Sequence, residues 1–151
     1  SYAAIEPPTW ALLLAQSVRS IGFKVAIMDV NAERLTDVEA LDRIINLQPR
    51  LVCFVVYGQN VNAGTVSMSG AVKLSEEIKA KGITSPIGYI GSYVQALPKK
   101  TLIDEPSIDI VFMNEGVYSL RNVLAQDTID LNNLDHIPKG PYLPYWNSEK
   151  K

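Results

Sequence analysis

The stretch "LVCFVVYGQNVNAG", residues 51 to 64, decides how this chain is read. Its first half is an apolar, β-branched run of the length of one strand. Its second half holds three amides (Gln59, Asn60 and Asn62) and two glycines, runs on into Thr65, and carries no charge. A strand that is apolar throughout, rather than on alternate residues, is covered on both faces, as strands in parallel sheets are.

Working outward, three other segments have the same character: "FKVAIMDV" (23–30), "SPIGYIGS" (85–92) and "IDIVFMNEG" (108–116). Helical patterns separate them. Thr9 to Gly22 is read as a helix with Leu12, Leu13, Gln16, Arg19 and Ser20 in helical order, capped by Thr9 and stopped by Gly22. A second helix runs from Thr36, its cap, to Leu47, with Val38, Leu41, Ile44 and Ile45 at helical spacing. A third covers about 66 to 81, with Val72, Leu74 and Ile78 apolar and Lys73, Glu76, Glu77 and Lys79 facing water. "LPKKTLID" (97–104) is a short helix, and "VYSLRNVLAQ" (117–126) closes the series. Strands alternating with helices predict right-handed crossovers and an α/β, doubly wound, mostly parallel sheet of Rossmann-like (flavodoxin-like) type. One strand is missing from that pattern. The chain opens with "SYAAIEPP" leading into a helix, where such a unit opens with a strand that sits mid-sheet, so two edges would be left unpaired. Upstream residues, or a second copy in a homodimer, would complete it. Residues 1–126 are expected to form the domain and 127–151, which lack periodicity, a linker or docking tail.

Composition narrows the partners. The 151 residues, 47% hydrophobic, suit one domain. Fourteen basic and sixteen acidic residues give a formal charge of −2 without a basic run, which argues against nucleic acid and membrane surfaces. The single Cys53 excludes a disulfide framework and any zinc or iron–sulfur spacing within the chain, and points to a cytoplasmic setting. "WALLLA" is too short to span a bilayer, and no signal peptide is recognisable.

Ligands of such sheets bind beyond the carboxyl ends of the strands. The exits are 30–34, 57–65, 91–98 and 114–119, and three of them combine glycine with neutral polar residues. That suits a large ligand bearing amides and hydroxyls, although asparagine and glycine are also ordinary turn residues. Asp29 is a turn residue rather than a ribose acceptor, since no G-x-G-x-x-G is present, and no P-loop motif occurs. His136 lacks a neighbouring base or ligand, Cys53 is read as a buried hydrophobe, and Glu115 as a hydrogen-bond acceptor at a helix entry. Trp146, with Tyr142 and Tyr145, is either a docking patch or simply tail. No catalytic or metal-ligating residue is assigned.

The ordered series "YAAIEPPTWALLLAQSVRSIGFKVAIMDVNAERL", "VCFVVYGQNVNAGT", "GYIGSYVQALPKKTLIDEPSIDIVFMNEGVYSLRNVL" and "LDHIPKGPY" resembles the N-terminal cobalamin-binding domain of cobalamin-dependent radical SAM enzymes. The resemblance covers about residues 2 to 126 and rests on the double proline, the D-x-N-A-E-R turn, the small-polar loop, G-x-x-x-x-A-L-P and the late E-G. It implies that Tyr57, Gly58, Gln59, Asn60, Asn62 and Thr65 line the cofactor's tail or corrin amides. It further implies that Gly91, Ser92 and Tyr93 admit the tail, and that Asn114, Glu115 and Gly116 close the far side. S-adenosylmethionine and an iron–sulfur cluster would belong to a downstream barrel. Two departures stand out: Ile90-Gly91 replaces the usual Gly-Gly, and no D-x-H-x-x-G supplies a lower histidine ligand. The competing expectations are a Rossmann-like enzyme domain for a nucleotide substrate and a flavodoxin- or receiver-like interaction domain.

Overall fold

The structure, a computed structural model, describes residues 9–56, 61–114, 116–134, 137 and 145–146; for 61–67 and 145–146 the description is of the backbone. It is an α/β fold. Three parallel strands, β1 (Val52–Val55), β2 (Ile87–Ile90) and β3 (Ile110–Phe112), stand in that order, and a two-residue β4 (Tyr145–Trp146) pairs antiparallel with β3. The helices are α1 (Thr9–Arg19), α2 (Asp37–Leu47), α3 (Val61–Ala80), α4 (Ser92–Ala96), α5 (Pro98–Asp104) and α6 (Val117–Leu124).

Period-two alternation of the strands divides the core between two faces. On one face Ile87, Tyr89 and Val111 meet Leu41 and Ile44 of α2, Leu74 and Ile78 of α3, Val94 of α4 and Leu102 of α5. On the other face Ile90, Ile110 and Phe112 meet Leu14 and Val18 of α1 and Leu120 and Val123 of α6. The α2 start is the cap expected from the sequence: Thr36 Oγ1 accepts from the Glu39 amide, and Glu39 Oε2 accepts from the Thr36 amide at 2.8 Å.

Three expectations are corrected. Among the described residues, 23–29 join no sheet, and the one hydrogen bond reaching the backbone of 24–28 is from Arg19 Nη2 to the Val25 carbonyl, at 2.9 Å. A strand exists only by pairing, and the described residues supply no strand that pairs with this segment. The third helix starts at Val61 rather than near 66, which places Asn62 and Thr65 in helical turns instead of a loop. Residues 92–96, expected as part of an exit loop, form α4. Burial on α1 falls on Leu14, Ala15 and Val18 while Leu12 and Leu13 are exposed, and Val38 on α2 is likewise exposed, because the sheet lies on one side of each helix only. Beyond residue 126, Leu134 and Ile137 are buried against the α1/α6 face. Among the described residues, no helix is long and apolar enough to cross a membrane.

Candidate functional site

The carboxyl ends of the three parallel strands bring their exits together. The Val56 amide donates to the Ile90 carbonyl at 2.7 Å, which locks the residue that follows β1 to the end of β2. The next residue, Gly91, has φ of 150°, and a Cβ there would overlap the Val56 carbonyl. Only glycine lets the two backbones approach this closely. Gly91 then leads into α4 through Ser92 and Tyr93, both exposed.

The β3 exit turns twice through left-handed backbone, at Asn114 (φ 53°) and Gly116 (φ 70°), before α6 begins. The Gly116 amide donates to the Met113 carbonyl at 3.1 Å. A Cβ at Gly116 would lie 2.7 Å from Ile90 Cδ1. The Ile90 side chain, which stands where the resembled pattern has glycine, is fully buried and fills the space Gly116 leaves. The β2 and β3 exits are also tied directly, since Gln95 Nε2 donates to the Asn114 carbonyl. Gln95 was not singled out from the sequence, although its place one helical turn after Gly91 was the available signal.

Of the residues expected at the site, Gly91, Ser92, Tyr93, Asn114 and Gly116 lie at this edge. Asn62 and Thr65 stand on the first turns of α3, which follows the β1 exit. Tyr57, Gly58, Gln59, Asn60 and Glu115 lie outside the described residues. A cavity of about 280 Å³ opens beside Tyr93, lined on α3 by Met68, Val72, Lys73 and Glu76 and on the other side by Glu105.

The groups beneath the edge are structural. Tyr89 is fully buried, stacks on Phe54 with ring centroids 5.0 Å apart and shares a 2.7 Å hydrogen bond with Ser75 Oγ. Burial pushes its phenol well above the ordinary value. Burial likewise pushes the Cys53 thiol up to about 12, so it remains a protonated thiol rather than a nucleophile. Asp29 accepts from the Ala32 amide at 2.9 Å and forms the turn expected of it. Among the described residues, no group of three or more His, Cys, Asp or Glu side chains gathers as metal ligands do. Comparison with protein-family models, curated proteins and solved structures gives no match to this chain.

Proposed function

We propose that this chain is a cobalamin-binding module of Rossmann-like (flavodoxin-like) doubly wound type, belonging to a radical SAM enzyme. The observation that carries the proposal is the convergence of three strand exits whose described residues, Val56, Gly91, Ser92, Tyr93, Asn114 and Gly116, are all uncharged. An amide-fringed macrocycle needs backbone carbonyls, hydroxyls and side-chain amides, with close backbone approach. The donor set fits that chemistry. Ser92 and Tyr93 would offer hydroxyls, Asn114 an amide, and Gly91 backbone without a side chain. When bound, cobalamin supplies methyl-transfer or radical chemistry at its cobalt; S-adenosylmethionine and an iron–sulfur cluster would act from a separate domain. A polyphosphate ligand is disfavoured, because the chain has neither a P-loop nor a dinucleotide glycine motif.

Titration of the chain with hydroxocobalamin, followed by visible absorption and co-elution on gel filtration, tests the reading. The expected result is retained, spectrally shifted cobalamin, with no retention of NAD or ATP. Absence of both the spectral change and the co-elution would overturn it.

A further inference from the structure

We infer that the sheet contains an open strand position between residues 23–29 and β1, and that it takes a parallel strand carried on the amino side of α1. The inference does not depend on the cobalamin proposal. It begins with the two edges of the position. The amides of Val52 and Val56 donate to the Pro86 and Ile90 carbonyls, so with strand alternation those of Cys53 and Val55 point the other way, where the described residues supply no paired strand. Residues 23–29, which join no sheet among the described residues, pack on the same two core clusters as β1. Their side chains divide between the faces as those of a sheet strand do. Phe23 and Val25 pack on the same core cluster as Leu51, Cys53 and Val55, whereas Met28 and the following Val30 pack on the cluster that Val52 and Phe54 join. Arg50, just before β1, lies over the Phe23 ring, 5.8 Å from its centroid, so the two segments start at the same level.

Handedness then fixes what fills the space. Helices α3, α4 and α5, which carry the chain from β1 to β2 to β3, all pack on one face. For right-handed crossovers, a helix on that face always steps in the same direction across the sheet. α2 packs there too, so the step from 23–29 to β1 runs the same way and puts 23–29 on the far side of β1 from β2. α1 packs on the opposite face, beside α6. Its step is therefore reversed, and the strand that feeds α1 must lie on the β1 side of 23–29. The other edge of β1 is taken by β2, and only the position between 23–29 and β1 remains. Eight residues span at most roughly 29 Å, so a strand attached ahead of Ser1 can reach that position.

The probe is a chain extended before Ser1 by a five-residue Ile/Val/Thr strand and a short Gly/Ser linker. The control carries proline at alternate positions of the same extension, which removes ladder donors. Amide hydrogen exchange is measured on both. The expected result is exchange at Cys53 and Val55 slowed at least tenfold in the strand version relative to the proline version, in a monomer. Protection of β2 and β3 amides in both versions shows that each is folded. Equal exchange at Cys53 and Val55 would overturn the inference. So would protection that appears in both versions and rises with protein concentration alongside a dimer, since that would assign the position to a second copy.

Discussion

At the scale of single residues, two glycines separate backbone necessity from convenience. Gly91 combines φ of 150° with a backbone oxygen where a Cβ would sit, whereas Gly70, inside α3, has nothing within 4 Å. Gly91→Ala is expected to lose about 1–3 kcal/mol from backbone strain alone, with the overlap adding to it. Gly70→Ala is expected to gain about 0.4–1 kcal/mol, because the unfolded chain loses freedom and the helix gains a better former. Urea denaturation of the pair checks both signs. Cys53 supplies a pH prediction. Its sulfur is enclosed by the core although the residue as a whole keeps partial exposure, and its thiol rises from 9.0 to about 12 on folding. A raised value means that the folded state holds a proton the unfolded state gives up. The stabilisation is therefore complete below pH 9 and is lost as pH rises toward 12. The melting temperature of the parent should fall more steeply than that of Cys53→Val between pH 9 and about 10.5; parallel curves would mean that the thiol is open to solvent.

At the scale of elements, α2 is where local sequence and structure agree most closely. Thr36 and Glu39 each satisfy the other's backbone amide, and both contacts are readable as T-x-x-E. Thr36→Ala is expected to cost about 1 kcal/mol. The hydrogen bonds from Thr36 lower the Glu39 carboxyl below its ordinary 4.5. Its contribution is thus present above that value and lost as pH falls through the depressed one, so the gap between parent and variant should narrow in acid. Thermal melts at pH 7 and pH 3 test this. The other elements were legible to differing degrees, for physical reasons. The runs at 52–55, 87–90 and 110–112 were readable because burial on both faces needs continuous apolar sequence. Residues 23–29 have the same composition, yet pairing is not a local property: it needs a neighbouring strand, which the described residues do not supply. The first turns of α3 carry Asn62, Gly64 and Thr65, weak helix formers, and the helix is helical there regardless. β4 is two residues long, too short for any period to show. At the candidate site, the glycines were legible because they mark close approach, whereas the Gln95–Asn114 tie depends on α4 meeting the β3 exit and could not be read from either segment.

At the scale of the whole molecule, the question is where the folding unit ends. Sequence periodicity stops near residue 126, which made 127–151 read as linker or tail. Packing continues past that point. Leu134 and Ile137 are each 3% exposed and join α1, α6 and the strands in one cluster, and Ile129 and Leu131 lean on its rim. The Gln126 carbonyl accepts from Arg50, and β4 covers the outer edge of β3 through Ile110 and Val111. A segment can pack in this way without periodicity, because irregular backbone buries single aliphatic residues where a helix or strand would bury a stripe. Each such residue contributes about 1.5–3 kcal/mol, so Leu134 and Ile137 together supply a large part of the roughly 5–15 kcal/mol by which a domain is stable. A chain ending at residue 126 is therefore expected to melt far below the parent, or not to fold. One ending at residue 138 keeps both buried side chains and should lose only what β4 contributes. Circular dichroism melts of the two truncations, beside the 151-residue chain, decide the matter. If the chain ending at 126 melts with the parent, the tail adds nothing to the fold and the boundary lies where the periodicity stops. If it fails while the chain ending at 138 holds, the segment from 127 to 137 is part of the domain.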